Sequence, residues 1–363
     1  MSLQQLKIPK RKDIINEFKA RGGKIVAVLP IHYPRALFRA FSILPIELWG
    51  PPKIGNSFSG SHLQTYVCSI AHNALSFLKI GGLDEVDFIL VPHTCDSLQG
   101  LGSLLVDFVT TTKKVLTLYL PRDKGEPGYE FLGHEIFRVY TILSQITGLH
   151  PEDALILDAI HREEQADKAL AELYRKRKKL GLENIDFYRL IRTREFLPAE
   201  HFIKLSQSVL TLSTAKRFNG LPVVLSGIVP EPMELLDELS RMGISVVADD
   251  LACCGRRLYQ PGVSMNPFRR LSENLFSAAP DPTRGDPLDS RIKHLKNLVY
   301  KSKAKGVIFY DVKFCEPELF DLPDLKKALK GQGIPSLTLE VDINDPISSQ
   351  MLTRIETFLE FIR

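Results

Sequence analysis

Cysteine is scarce in this chain, and long hydrophobic runs are missing. Five cysteines in 363 residues are too few for a disulfide scaffold, so we expect free thiols in a reducing compartment. No apolar stretch approaches the roughly 18 residues of a membrane helix. The N-terminal segment is polar and lacks the apolar core of a signal peptide. These absences predict a cytoplasmic protein that does not associate with membranes.

An excess of one charge sign and the common phosphate-binding loops are also missing. Lys and Arg number 47 and Asp and Glu number 43, so the formal net charge of +4 is too small to indicate a nucleic-acid partner. The glycines at 55–60 and 100–102 match neither a Walker A loop nor a dinucleotide-binding fingerprint. No two cysteines have CxxC spacing, so neither a zinc ribbon nor a thioredoxin-type site is supported.

Short apolar runs rich in β-branched residues occur in both the first and the last third of the chain. Each is followed by a loop and a helical pattern, which predicts buried strands of parallel sheets with helices on both faces. The predicted strands are 24–30, 44–50, 86–92 and 115–121, and then 221–227, 244–250, 306–312 and 335–342.

The middle of the chain is predicted to be mostly helical. Its helices are 130–148, a long one that opens at His150 and ends at Gly181, 187–191 and 201–218. The basic cluster 175–179 is interpreted as a solvated helix end, with a phosphate or partner patch as the alternative. Outside the middle, the predicted helices are 62–78, 231–242, 290–303, 322–331 and 348–362, and residues 260–287 are predicted as a long loop with one short helix.

The pattern as a whole predicts an α/β protein with two Rossmann-like, doubly wound parallel-sheet domains. These are residues 1–128, which carry Cys68 and Cys95, and residues 219–363, which carry Cys315. A mainly helical insert, residues 129–218, separates them.

Four of the five cysteines follow predicted strands, and ligands of open parallel sheets bind beyond the C-terminal strand ends. Cys95 follows strand 86–92, Cys253 and Cys254 follow strand 244–250, and Cys315 follows strand 306–312. The fifth, Cys68, lies on the predicted helix before the Cys95 strand.

Several interpretations of these residues stay open at this point. The cysteines could be ordinary buried side chains, ligands of an iron–sulfur cluster, or include a nucleophile paired with His93 or His32. The acids Asp249 and Asp250 could bind a metal, accept hydrogen bonds from loop amides or cap the following helix.

Five segments, in order, resemble one known family. They are LQTYVCSIAHNALSFL around Cys68, VDFILVPHTCDSLQG around Cys95, LPVVLSGIVPEP with ISVVADDLACCGRR, GVIFYDVKFCEPELFDLPDLKKALKGQGIPSLTLEVD around Cys315, and the tail SSQMLTRIETFLEFI. Over nearly its whole length the chain is similar to subunits of the 2-hydroxyacyl-CoA dehydratase and benzoyl-CoA reductase family.

The resemblance implies an iron–sulfur enzyme subunit, a lyase or an oxidoreductase. Cys68, Cys95 and Cys315 would hold one 4Fe–4S cluster with one iron open to a further ligand. The partners would be a homologous sister subunit or a second copy of the chain, and an ATP-hydrolysing iron–sulfur activator that supplies a low-potential electron for an acyl-CoA substrate. A non-catalytic electron-relay or partner subunit, or an ATP-dependent reductase of another small substrate, is the alternative.

The chain departs from the family pattern at three places. Arg35 and Ala36 stand where the pattern has acids, Ala279 precedes Pro280 where many relatives have cysteine, and Cys253 is doubled by Cys254. We predict that these two cysteines line the strand-end crevice of the second domain and are not cluster ligands. We expect a dimer with its clusters facing an interface cleft. A double-cubane protein is disfavoured, since two cubanes would need six cysteines.

Overall fold

Eight parallel strands in two sheets form the framework of the protein. The structure, a computed structural model, describes residues 8–55, 57–109, 111–211 and 220–363. Over these residues the strands are β1 (Lys24–Val28), β2 (Ile43–Glu47), β3 (Phe88–His93), β4 (Lys114–Tyr119), β5 (Leu221–Gly227), β6 (Ile244–Leu251), β7 (Gly306–Val312) and β8 (Ser336–Val341). They pair in the orders β2-β1-β3-β4 and β6-β5-β7-β8, and every pair is parallel. The predicted fold class, with two Rossmann-like sheets, is confirmed.

Helices flank and connect these sheets. In the described part of the chain they are α1 (Arg11–Ala20), α2 (Arg35–Ala40), α3 (Ser69–Lys79), α4 (Asp96–Asp107), α5 (Glu126–Thr147), α6 (Asp153–Leu180), α7 (Asn184–Arg192), α8 (Ala199–Thr211), α9 (Glu234–Arg241), α10 (Pro267–Phe276), α11 (Leu288–Ser302), α12 (Glu316–Lys330) and α13 (Ser349–Ile362). None of them is long and apolar enough to cross a membrane.

Both faces of the first sheet are covered, because successive side chains of a strand point to opposite faces. Ile25 and Ala27 of β1 pack in one hydrophobic core with α3 and α4. Val26 and Val28 pack in a second core with α2 and α5. Burial on both faces explains why these strands read as continuous apolar runs.

The helices that follow the first sheet connect it to the second. α5 packs on the first sheet through Leu132 and Ile136. Leu173 of α6, Tyr188 of α7 and Phe202 of α8 instead join a core that contains strand residues of both sheets. Of the predicted helix 201–218, residues 212–218 lie outside the described residues, and so does the predicted domain boundary between residues 218 and 219.

Two predicted helix starts differ by six or seven residues from those in the structure. The helix predicted at 62–78 begins at Ser69, because residues before it form turns held by side chains: His72 Nε2 lies 3.1 Å from the Gln64 carbonyl oxygen and His62 Nδ1 lies 3.0 Å from that of Phe58. The helix predicted at 322–331 begins at Glu316, with Pro323 inside it. Proline is common in the first turn of a helix. In α12, Pro317 occupies the first turn, and Pro323 lies farther inside the helix.

Residues at the C-terminal ends of strands form several contacts between the two parts of the chain. Arg257, beyond β6, donates a 2.5 Å hydrogen bond to Glu47 at the end of β2. Asn344, beyond β8, accepts a 2.8 Å hydrogen bond from Asn73 of α3. The strand ends of both sheets therefore face a common cleft, where ligands of such folds bind.

Candidate functional site

The three cysteines of the predicted cluster occupy equivalent positions in the fold. Cys68, Cys95 and Cys315 are each the residue immediately before a helix, namely α3, α4 and α12. Cys95 also follows β3, and Cys315 follows β7, as predicted. Cys68 precedes its helix, so the prediction that it lies on a helix is corrected by one position. This difference follows from the later start of α3.

The structure brings the three thiols together. Burial raises the pKa of each of them, to about 12 for Cys95 and well above the usual value for Cys315. Negative charge on Cys68 would raise the pKa of both Cys95 and Cys315, and charge on Cys95 would raise that of Cys315. Only neighbouring groups influence one another in this way. The three thiols also pack against the same hydrophobic core.

Backbone N–H groups of the three helix starts point to these sulfur atoms. The donors are Ile70 and Ala71 at Cys68, Ser97 and Leu98 at Cys95, and Glu318 at Cys315. These hydrogen bonds oppose the effect of burial, because they stabilise the negatively charged form of sulfur. Three helix N-termini therefore supply partial positive charge around the thiols, which suits an anionic group.

The thiols do not form a site for a single metal ion. Within the described ranges, no group of three or more His, Cys, Asp or Glu residues could hold one ion. Thiolates on one zinc ion lie about 2.3 Å from it, whereas the thiolates of a cubane bind different iron atoms and stand farther apart. Three sulfur donors from three helix starts, two of them buried and Cys95 partly buried, fit the donor set of an iron–sulfur cluster.

A cavity of about 280 Å³ opens beside Cys95. It lies between strand ends of both sheets and the first turns of α12. Its lining is formed by Thr94, Cys95, Asp96, Ser97, Arg122, Pro282, Thr283, Gly285, Asp286, Glu316, Pro317, Phe320 and Asp321. Most of these side chains are polar, and Cys95 is part of the lining, so a small ligand in this cavity would approach the Cys95 thiol.

The histidines do not support a cysteine nucleophile. His32 lies 3.3 Å from Asp281 through Nε2, and burial lowers the pKa of its ring. Both ring nitrogen atoms of His93 are without a hydrogen-bond partner in the described structure, and its ring contacts Tyr119. Among the residues described, neither histidine pairs with Cys95, as activation of a thiol nucleophile would require.

Asp249 and Asp250 have structural roles. Asp249 accepts hydrogen bonds from the backbone N–H groups of Gly255 at 2.7 Å and Leu251 at 3.3 Å, so the loop-amide alternative is the correct one. Asp250 binds Arg256 through two hydrogen bonds of 3.0 and 3.1 Å. No metal-ion site was found at these acids or elsewhere in the described residues.

Cys253 and Cys254 contact each other through their thiols. Their sulfur atoms are 3.2 Å from each other, and both residues are buried. Burial, Cys253 and Asp249 raise the pKa of Cys254, whereas Arg192 lowers it. That these two cysteines are not cluster ligands stays a prediction.

Comparison with known proteins decides the family. Residues 30–362 match the family described as 2-hydroxyglutaryl-CoA dehydratase, D-component. The chain belongs to this D-component family. The family prediction made from the five segments is thereby confirmed.

Relatives of the D-component chain cover almost its full length. It is 28% identical to the (R)-2-hydroxyglutaryl-CoA dehydratase, subunit beta, of Acidaminococcus fermentans, over 96% of this chain and 95% of the relative. It is 26% identical to the (R)-phenyllactyl-CoA dehydratase beta subunit of Clostridium sporogenes, over 96% and 95%, and 23% identical to a benzoyl-CoA reductase subunit of Thauera aromatica, over 94% and 91%. These names agree with the predicted class, a lyase or oxidoreductase subunit.

Sequence reasoning missed the buried ion pairs that hold the Cys315 helix of this D-component chain. Glu318 accepts hydrogen bonds from Arg256 and, at 2.9 Å, from Arg291. Arg256 belongs to the segment ISVVADDLACCGRR, and the resemblance of this segment to the family was a sign that Arg256 has a defined role. Glu318 had no such signal, because nothing in the sequence indicates which acid of a helix is turned inward.

Proposed function

We propose that this chain is the iron–sulfur subunit of an acyl-CoA dehydratase or reductase that works with low-potential electrons from an ATP-hydrolysing activator. The observation that carries the proposal is the convergence of Cys68, Cys95 and Cys315 at three helix N-termini from both sheet domains. When bound, a 4Fe–4S cluster with three protein ligands would supply one-electron chemistry and one open iron position.

The residues around the thiols would position an acyl-CoA thioester and exclude water. Thr94 lines the cavity beside Cys95, and its hydroxyl group, which has no hydrogen-bond partner among the described residues, can donate to a carbonyl oxygen. Burial of Cys68 and Cys315 keeps water from the inner side of the site. In a water-poor site, electrostatic stabilisation of developing charge is stronger than in solvent.

A homologous sister subunit is the proposed partner. Two relatives are named as beta subunits and a third is named as one subunit of benzoyl-CoA reductase, so each works beside other chains. Phe314 and Phe320 are exposed at the start of α12, and Phe320 also lines the cavity beside Cys95. Exposed aromatic side chains are typical of protein interfaces. We place the sister subunit, or a second copy of the chain, on this face.

One observation favours the second candidate, an electron-relay or partner subunit. Arg35, which stands where the family pattern has an acid, is buried and bound to Glu47 at 2.9 Å. It cannot supply the carboxylate that the pattern has there. Substrate binding by the isolated chain separates the candidates: an active-site subunit binds acyl-CoA in the absence of a sister chain, whereas a relay subunit does not.

The test of the cluster is anaerobic reconstitution with iron and sulfide. We expect about four iron atoms and four sulfide ions per wild-type chain. Single changes Cys68→Ser, Cys95→Ser and Cys315→Ser should each remove at least about half of the iron, because each deletes one thiolate ligand. The matched control is the double change of Cys253 and Cys254 to Ser, which alters two buried cysteines outside the proposed ligand set.

Retention of full iron in all three single variants would exclude the cluster assignment. Loss of iron from the double control, to the same extent as from the single variants, would show that the ligands are assigned wrongly.

A further inference from the structure

A second, small cavity lies where four parts of the chain meet, and none of the three cysteines lines it. Its volume is about 50 Å³. Its walls come from the loop after β1 with the start of α2, from α6, from the loops around residues 194 and 257, and from α10. The lining residues are Tyr33, Pro34, Arg35, Ala36, Ile160, Glu163, Asp167, Arg194, Arg257, Tyr259, Leu271, Asn274 and Leu275.

Three buried arginines line this cavity with unused hydrogen-bond donors. Arg35, Arg194 and Arg257 are each less than 9% exposed. Among the described residues, Nη1 of Arg35, Nη1 of Arg194 and Nε of Arg257 are buried without a hydrogen-bond partner. A donor that is removed from water and left unpaired destabilises the folded protein. The unpaired donors indicate that the cavity suits a group that accepts hydrogen bonds.

The neighbouring carboxylates are already engaged by other donors. Glu47 accepts hydrogen bonds from Arg35 at 2.9 Å, from Arg257 at 2.5 Å, from Tyr33 at 3.1 Å and from Trp49 at 3.3 Å. Three of these hydrogen bonds end on Oε1 and one on Oε2, so Glu47 is already shared among four donors.

Arg194 is likewise bound on one side only. Asp167 accepts two hydrogen bonds from Arg194, at 2.9 and 3.3 Å, and Glu163 lies 2.6 Å from Nη2 of the same guanidinium. Burial raises the pKa of Asp167, whereas that of Glu163 is lowered, because the charges of Arg194, Arg35 and Arg39 outweigh the effect of burial. Oε2 of Glu163 also has no hydrogen-bond partner among the described residues. Neither these acids nor any other group of the described residues forms a hydrogen bond with the three free donors.

We propose that this cavity is a binding site for a carboxylate group. The guanidinium fork matches the two oxygen atoms of a carboxylate, and hydrogen bonds between charged groups are stronger than neutral ones. One water needs about 10–15 Å³ of such space, so the cavity has room for about three or four water-sized groups, the size of formate or acetate. The proposal does not depend on the iron–sulfur assignment.

The test measures binding of carbon-14-labelled formate by equilibrium dialysis against the full chain. We expect saturable binding of one formate per chain. Arg35→Gln should weaken binding about 10- to 100-fold, the effect of losing a hydrogen bond between charged groups. Ala36→Val fills the cavity without a change of charge and should also weaken binding. Arg138→Gln is the matched control, because Arg138 forms two hydrogen bonds to Glu135 but lies outside the cavity.

Competition identifies the source of the carboxylate. If glutaryl-CoA displaces formate and pentanoyl-CoA does not, the carboxylate belongs to an acyl chain. If acetate displaces formate and glutaryl-CoA does not, the ligand is a small free carboxylate. Both results support a carboxylate site.

Formate binding that does not saturate, or that is equal in wild type, Arg35→Gln and Ala36→Val, would overturn the proposal and leave the cavity to water. Far-UV circular dichroism checks that Arg35→Gln is folded. If it is not, Ala36→Val decides by itself. Iron content of the same samples keeps this result separate from a failure of the cluster assignment.

Discussion

At the scale of single residues, burial without a partner determines how side chains near the site ionise. Asp311 of β7 is 1% exposed, and its Oδ2 has no hydrogen-bond partner in the described structure. Burial, with the charge of Glu318 as the next cause, raises the pKa of Asp311 to about 7. The folded protein therefore favours the protonated acid, and stability is lost as the pH rises from about 4 to about 7.

Asp311→Asn should consequently stabilise the protein in a pH-dependent way. The amide resembles the protonated acid and never carries the buried charge. We expect little change in thermal stability near pH 4, and a gain on the order of a few kcal/mol above pH 7. Thermal unfolding across this pH range measures it, with the exposed Asp289→Asn as the control. An equal effect of Asp311→Asn at both ends of the range would contradict the raised pKa.

Cys95 provides a second prediction at this scale. With a pKa of about 12, its thiol is almost entirely protonated at pH 8 in metal-free protein. Because the thiolate is the reactive form, alkylation by iodoacetamide should be at least about 100-fold slower than in the urea-unfolded chain, where cysteine has its ordinary pKa. Mass spectrometry locates the modified cysteine. Equal rates in folded and unfolded chains would show that burial does not protect this thiol.

At the scale of elements, the first turn of α12 is held by buried charge. Glu318 accepts hydrogen bonds from Arg256 and Arg291, and Arg291 also donates to Asp321 at 2.8 Å. Cys315 precedes the same turn, and its sulfur accepts a hydrogen bond from the Glu318 N–H group. The ion pairs therefore fix the position from which Cys315 approaches the other two thiols.

Glu318→Ala should destabilise the protein by about 3–5 kcal/mol, because it leaves two buried guanidinium groups without their shared carboxylate. Urea unfolding measures the loss, and iron uptake should fall with it. The matched control is Glu316→Ala, since Glu316 is exposed on the same turn and should change stability by less than about 0.5 kcal/mol. Equal stability of the two variants would show that the buried ion pairs do not hold α12.

At the scale of the whole molecule, one hydrophobic core includes strands of both sheets. Ile25 and Ile46 of the first sheet, Leu225 and Ile308 of the second, and residues of α6, α7 and α8 belong to it. Separation of the two sheet domains would expose this shared surface to water. The exposure would cost about 25 cal/mol of free energy for each square ångström of apolar area. The domains are thus expected to unfold together.

The single tryptophan permits a test of this cooperativity. Trp49 lies just beyond β2, is buried in the shared core and donates a hydrogen bond to Glu47. Its fluorescence reports the first domain, whereas far-UV circular dichroism reports all helices. We expect urea midpoints that coincide for the two signals. A fluorescence midpoint well separated from the circular dichroism midpoint would show that the domains unfold independently.

The sequence by itself determined the fold class, the eight strands and the family. Strands buried on both faces must be apolar along their whole length, so a local run such as 86–92 was sufficient to locate β3. The three cysteines could be chosen from five only through the resemblance of the segments around them. Cys253 also follows a strand, so position alone does not separate it from Cys95 and Cys315.

The tertiary structure decided what depends on contacts between distant residues. Glu47 lies in an apolar strand in the sequence, and only the fold shows that Arg35 and Arg257 meet there. Three further features also depend on contacts between distant residues: the start of α3 at Ser69, the inward turn of Glu318 and the carboxylate-sized cavity beside Arg194. Helical and strand periodicity describe neighbours along the chain, whereas a buried charge is stable only beside a partner that the chain supplies from elsewhere.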